Sequence, residues 1–304
     1  MGQVEAQEKA YFLSGFWSSA AALSPFCVFT PRSAHDLAEG IKILARTNTT
    51  FAVRSGGHSP ITGVANTDHG VLIATSQFTE KTLIPTPNPF EVSYLRAGAA
   101  FRWEELYAFL NPYGLAVAGG RVSTVGSSLL LGGGMSYRSA TLGWAVNNVV
   151  NFELVTGTGH ILQVNQKLYP DLFWALKGGS NNFGIITRYD LKVYKTGTIF
   201  GGVLNWMGHN NSLRFLDAYT AWFAPGGGVQ DNAKAAILPN IAMTLPDMKE
   251  TSATILFYND NVTNPKTFEN FTAIPRIDSQ SQLGLMNFSQ LVNLTAFDGL
   301  HVGR

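Results

Sequence analysis

Four turns built from glycine and other small residues, each at the end of a strand pattern, constrain this chain more than any other feature. They are Arg54-Ser55-Gly56-Gly57-His58-Ser59, Gly119-Gly120-Arg121-Val122-Ser123-Thr124-Val125-Gly126, Gly132-Gly133-Gly134 and Gly178-Gly179-Ser180-Asn181-Asn182-Phe183-Gly184. Glycine allows positive φ and close approach of backbone to another group. Taken alone, residues 54–59 read as an ordinary glycine turn with a surface histidine, or as a nest of amide N–H groups suited to pyrophosphate. Taken together, the four turns read as a surface shaped for a long, anionic ligand. Ser123 or Thr124 is expected to cap a helix before Leu129-Leu130-Leu131, and such a helix N-terminus would add an anion site.

The other dinucleotide devices are missing. Gly157-Thr158-Gly159 lacks a third glycine and sits in a hairpin turn, so no Rossmann fingerprint is present. No Gly-Lys-Ser/Thr ending marks a phosphate loop. The formal net charge is +1 with no basic run, so no electrostatic footprint for nucleic acid exists. Charged residues are only 13% against 45% hydrophobic, which is material for a globular core and suits small, neutral or aromatic partners. The single cysteine, Cys27, permits neither an internal disulfide nor a metal cluster. No apolar run approaches the ~20 residues of a membrane span. Residues 1–10 are polar and read as no signal peptide, and Ala6 breaks a myristoylation signal after Gly2. Against this, six Asn-x-Ser/Thr sequons occur, at Asn48, Asn210, Asn261, Asn270, Asn287 and Asn293. About three would arise by chance, and the excess points to secreted ancestry and glycosylation.

Local patterns place these turns. Ser33, with Asp36 three residues on, starts a helix whose apolar face is Leu37, Ile41 and Leu44. Strands are expected at residues 50–53, 70–74, 92–97 and 115–118, and a helix at 103–110 ended by Asn111-Pro112. Residues 149–156 and 160–164 form a hairpin pattern; a helix follows over 170–176, then a long strand over 183–194. Hairpins mixed with crossovers indicate an α+β fold. Glycine thins and sequons crowd beyond residues 195–202, which marks a domain boundary.

The set of motifs resembles the berberine-bridge-enzyme-like FAD-linked oxidases, in their fungal, oxygen-dependent branch. The matching strings are Thr30-Pro31-Arg32-Ser33-Ala34, residues 54–60, Pro112-Tyr113-Gly114-Leu115, residues 119–126, residues 131–136, Asn148-Val149-Val150 and residues 171–187. They cover residues 24–195 in the order such proteins use. The resemblance implies a lead-in at 1–23 and a PCMH-type, two-subdomain FAD-binding fold of the vanillyl-alcohol-oxidase type at 24–196. An incomplete α+β substrate domain follows at 197–304. It implies FAD linked covalently through His58 to the C8 methyl of the isoalloxazine. Arg54, Ser55, Gly56, Gly57, His58 and Ser59 would cradle pyrophosphate and ribityl chain, with Gly119, Gly120, Val122, Ser123, Thr124, Val125 and Gly126. Gly133 and Gly134 join the cofactor-binding set, and Gly184, Ile185 and Ile186 line the adenine side.

The implied reaction is hydride transfer from a small-molecule substrate to flavin, with reoxidation by O2. A secondary-metabolite alcohol is the preferred substrate and a carbohydrate the alternative. Three departures sharpen the reading. Val122 stands where some relatives carry a second flavin-linking cysteine, so one covalent bond is expected. Pro60 replaces a tyrosine found in some relatives, and Leu129 adds bulk after Gly126, tightening the turn beside the flavin. The usual catalytic base and a Tyr-x-Asn string are expected beyond Arg304; the signal peptide of relatives and the upstream cysteine that pairs with the one matching Cys27 are both missing here. Full-length relatives are secreted. A flavin-binding module without turnover is the competing reading.

Overall fold

The computed structural model describes residues 16–85, 94–229, 232–244 and 246–295. The polar stretch 1–10, the first two residues of the strand expected at 92–97, and Arg304 lie outside them. The fold is α+β, as expected. Strand β1 (Cys27–Phe29) leads into helix α1 (Ala34–Arg46), then β2 (Phe51–Arg54) and β3 (Val71–Ala74), which form a parallel sheet in the order β1-β3-β2. Ser33 Oγ accepts from the Asp36 amide at 3.0 Å, and Asp36 accepts in return from the Arg32 amide. The helix then buries Leu37, Ala38, Ile41 and Leu44, each larger side chain contributing roughly 1.5–3 kcal/mol.

Next come β4 (Lys81–Ile84), β5 (Tyr94–Gly98), α2 (Trp103–Leu110), β6 (Leu115–Val117), a 3-10 helix at Ser127–Gly132, and α3 (Ser139–Leu142). The hairpin β7 (Val149–Val155) and β8 (Ile161–Asn165), helix α4 (Pro170–Ala175) and the eleven-residue strand β9 (Ile185–Lys195) complete a second, antiparallel sheet. Its order is β4-β5-β9-β7-β8, with β6 pairing the far end of β9. β9 is its spine because it pairs with three strands, and it is buried along most of its length.

β10 (Ile199–Met207) starts four residues after β9 ends and opens a third sheet. With α5 (His209–Phe223), β11 (Ala235–Thr244), β12 (Lys249–Tyr258), α6 (Glu269–Thr272), β13 (Gln282–Met286) and α7 (Phe288–Asn293), it builds the order β11-β12-β10-β13. Strand alternation gives this sheet two apolar faces. Leu204, Trp206 and Leu256 pack with Phe215 and Trp222 of α5 in a core of their own. Ile255 and Phe257, offset by one residue, join the main core with Phe288 and Leu291 of α7. Buried Arg138 bridges the same junction, its Nη2 donating to Thr196 Oγ1 at 2.6 Å and Asn259 Oδ1 at 3.0 Å.

The helix expected to be capped by Ser123 or Thr124 does not form there. Residues 122–125 form a turn pinned to the start of α2: the Val125 amide donates to the Val122 carbonyl at 3.4 Å, while the Trp103 amide donates to the Val125 carbonyl and the Glu104 amide to that of Ser123, each at 3.1 Å. Helical structure cannot begin until Ser127. It is then a 3-10 helix with Gly126 at its N-cap and no side-chain cap.

Candidate functional site

The parallel sheet delivers its strand ends to a cleft of about 570 Å³. β2 ends in the loop Ser55, Gly57, His58 and Ser59, and β3 ends in Thr75; all five line the cleft. The carboxyl ends of parallel strands are the ordinary place for a ligand, because side chains and amides converge there without blocking one another. The opposite wall comes from the antiparallel sheet: Ala99 after β5, Val155 at the end of β7, Tyr189 within β9, and Gly184, Ile185 and Ile186 where β9 begins. Ser127, at the start of the 3-10 helix, lies between the walls.

Hydroxyls tie these walls together. Ser127 Oγ donates to the Ala99 carbonyl at 2.8 Å and meets Ser55 Oγ at 3.0 Å. Thr75 Oγ1 reaches the same carbonyl at 3.2 Å. The amides of Gly57, His58 and Ser59 donate to no protein acceptor among the described residues. A loop of small residues with unspent N–H groups beside a cleft fits the anionic part of a dinucleotide. Gly57 has φ +71°, which places successive amides on one side of the chain in such a nest.

A second cavity, of about 760 Å³, lies between this region and the third sheet. Trp17, His58, Pro60, Val122 and Val125 form one side. Across three strands the third sheet presents two rows: Leu238, Ile255 and Val203 stand in register, and Asn240, Ala253 and Asn205 stand in register beside them. One row is apolar and the next carries carboxamides. Among the described residues that line this cavity, His58 is the one ionisable side chain, and it lines the first cleft as well.

His58 is held on two sides. Its Nε2 is 2.9 Å from Thr124 Oγ1, and Trp17 stacks on its ring at 6.3 Å between centroids. Burial, with a smaller contribution from the positive charge of Arg102, pushes the imidazole down from 6.5 to about 4. The ring is therefore neutral near pH 7 and keeps a nucleophilic nitrogen lone pair.

The predicted site residues fall into four groups. Ser55, Gly57, His58, Ser59, Gly184, Ile185 and Ile186 line the cleft; Val122 and Val125 line the second cavity; Thr124 reaches His58. Arg54, Gly56, Gly119, Gly120, Ser123, Gly126, Gly133 and Gly134 line neither. Arg54 is buried, with its guanidinium 4.3 Å from the Phe16 ring centroid. Gly56 and Gly126 face each other so closely that a Cβ on either would collide with the other's amide nitrogen. Gly119 and Gly120 lie flat on the Trp103 indole, where a Cβ would overlap the ring. The Ser123 amide donates to Thr295 Oγ1 at 3.0 Å. Gly133 and Gly134, at φ +97° and +75°, turn the chain so that their carbonyls accept from Val146 and Ala145. Leu129 also lines neither cavity. Packing thus explains several of these glycines.

Sequence reasoning overlooked Thr75, Ala99 and Tyr189 in the cleft, and the whole third-sheet wall of the second cavity. Thr75 had a signal, since it follows a strand directly, as Ser55 does. Asn205 and Asn240 had none, because only the register of three distant strands brings them together.

Residues 25–165 match the family described as "FAD binding domain". The FAD-dependent monooxygenase prx3 of Penicillium roqueforti is 37% identical over 270 residues, covering 88% of this chain and 51% of that protein. The chain spans about half the length of the curated relatives it matches. Among solved structures, 6-hydroxy-D-nicotine oxidase of Arthrobacter nicotinovorans superposes with a TM-score of 0.78 at 21% identity, over 94% of this chain and 61% of that one. A variant of berberine bridge enzyme gives 0.74 at 18%, over 95% and 60%. Among the described residues no helix is long and apolar enough to cross a membrane.

Proposed function

We propose that this chain, whose residues 25–165 match an FAD binding domain and whose fold is shared with 6-hydroxy-D-nicotine oxidase and berberine bridge enzyme, is the flavin-holding part of an FAD-dependent oxidase of that type, with FAD bound covalently through His58. Residues 24–196 hold the cofactor and residues 197–304 face the substrate. The observation that carries the reading is the position of His58: it lines both the amide-rich cleft and the apolar cavity. FAD carries its pyrophosphate between two aromatic groups, isoalloxazine and adenine, and a histidine that lines both cavities can meet the isoalloxazine while its own loop holds the anionic middle.

Bound FAD supplies the two-electron acceptor for the reaction, which the protein itself lacks. The side chains supply position. Gly57, His58 and Ser59 offer amides to the pyrophosphate, and Ser55, Thr75 and Ser127 offer hydroxyls along the cleft. Gly184, Ile185 and Ile186 form a flat wall for the adenine end. His58, neutral near pH 7, presents a lone pair for a single covalent bond; Val122 offers no second nucleophile.

The second cavity favours an uncharged, largely apolar substrate that carries one polar group. Its apolar row excludes water, and its carboxamide row satisfies a hydroxyl or carbonyl at modest desolvation cost. This supports an alcohol from secondary metabolism over a carbohydrate, whose many hydroxyls would find too few partners. Dioxygen is the proposed final acceptor. The test is to express the chain with FAD and precipitate it with acid. Yellow colour should stay on the polypeptide and be lost from His58→Ala. Colour released from the unsubstituted chain would overturn the covalent reading. Peroxide formed with apolar alcohols and not with sugars is the expected pattern for turnover.

A further inference from the structure

We infer that Thr124 is the positioning residue that fixes the His58 tautomer, accepting a hydrogen bond from Nε2–H so that the lone pair sits on Nδ1, the atom that forms the bond to flavin. The choice of tautomer rests on the covalent reading above, although it is measured independently of flavin attachment.

Three observations carry it. Nε2 and Thr124 Oγ1 are 2.9 Å apart, while Nδ1 has no protein partner among the described residues. The nitrogen engaged by Thr124 is not available to a ligand, so any bond made by the ring is made at Nδ1. Thr124 is itself rigidly held. It lies in the turn before Gly126, whose carbonyls at Ser123 and Val125 accept from the Glu104 and Trp103 amides, and the glycine pair seats that turn against Gly56. The loop carrying His58 and the segment carrying Thr124 therefore cannot shift independently. The remaining restraint is Trp17, which stacks on the ring and donates its backbone amide to the Gly57 carbonyl at 3.1 Å.

A 2.9 Å contact between a hydroxyl and an imidazole nitrogen admits two tautomers. If Thr124 donated, the proton would sit on Nδ1 and would have to leave before that atom could react. With Nε2–H donating, Nδ1 is ready. Which nitrogen carries the proton is set by the bond the other nitrogen makes. Thr124 is half-buried, so its own hydroxyl proton can turn to solvent. Bond formation at Nδ1 would break one C–H bond of the flavin 8-methyl group and the Nε2–H bond, releasing one proton from each, the second through Thr124. The bonding pair of the C–H bond would reduce the isoalloxazine by two electrons, which dioxygen would accept with those two protons as hydrogen peroxide.

Two measurements separate this proposal from the covalent reading. The first uses flavin-free chain, labelled with 15N-histidine and expressed without riboflavin, with the His58 signals assigned by their loss in His58→Gln. The unsubstituted chain and Thr124→Ser should show protonated Nε2 and unprotonated Nδ1, and Thr124→Val, which keeps shape and loses the hydroxyl, should show mixed tautomers. Protonated Nδ1 in the unsubstituted chain, or an unchanged tautomer in Thr124→Val, overturns the proposal. The second follows acid-stable yellow colour after FAD is added back. Thr124→Val should attach flavin ~10-fold more slowly or worse, with Thr124→Ser near the unsubstituted rate. If no chain retains colour, the covalent reading fails while the tautomer result stands. If Thr124→Val attaches flavin at full rate, the role assigned to Thr124 fails while the covalent reading stands.

Discussion

At the scale of single residues, His58 and the glycine pair set the chemistry and its limits. His58 has its ordinary value of 6.5 in the unfolded chain and about 4 when folded. Between these values the unfolded chain binds the proton and the folded chain does not, so this group's stabilisation is present above pH 6.5 and is lost as pH falls through 4. Thermal unfolding of the flavin-free chain should show the unsubstituted protein losing ground to His58→Gln between pH 6.5 and 4. Flavin attachment should keep its rate down to about pH 5 and fail near 4, because only the neutral ring is a nucleophile. Gly126→Ala belongs here too. Its methyl would strike the Gly56 backbone, which has no side-chain rotamer to yield, and overpacking of this kind costs about 1–3 kcal/mol. The variant should unfold at lower urea and retain less yellow colour. The histidine and both glycines were visible in the sequence, whereas the mutual contact of Gly56 and Gly126 was not. A glycine kept for a neighbouring backbone reads the same as one kept for a ligand.

At the scale of elements, what could be read locally was read. The helix at Ala34–Arg46 has an N-cap serine and a single apolar face, and the hairpin of β7 and β8 has alternation and a glycine turn. Each carries its instructions within a few residues. Ser33→Ala should remove the acceptor for the Asp36 amide and cost about 1 kcal/mol, read as a lower urea midpoint with α1 otherwise intact. Residues 123–132 show the opposite case. Ser123 and Thr124 are good capping residues, but hydrogen bonds from the Trp103 and Glu104 amides hold them in a turn ahead of Gly126 and give Thr124 to His58 instead. A non-local backbone pairing there outweighs a local cap worth about 1 kcal/mol.

For the whole molecule, the decisive feature is that the third sheet shares its core with the first two. Phe288 lies 4.7 Å from Tyr107 of α2, 5.7 Å from Phe257 of β12 and 6.2 Å from Tyr137, measured between ring centroids. Phe288→Ala should cost about 3–5 kcal/mol, and the loss should reach both sides of the second cavity. Urea unfolding followed by tryptophan fluorescence and by far-ultraviolet circular dichroism should shift together. A separate early transition of residues 197–304 would contradict the shared core.

By itself the sequence determined the α+β class, the local helices and hairpins, the glycine turns and the resemblance to flavin-linked oxidases, because each of these is written in neighbours along the chain. Which of those turns line the cleft was decided by tertiary packing alone. Gly57, Ser59 and Gly184 line the cleft, while Gly119 and Gly120 are spent on Trp103 and Gly56 and Gly126 on each other. Tertiary packing also decided that Thr124 serves His58, and that Asn205 and Asn240 stand together in a wall facing it. The physical reason is sequence separation. A contact between residues 58 and 124, or the placing of 205 and 240 on either side of Ala253, depends on sheet register and on how two layers pack, and no local pattern along the chain encodes either.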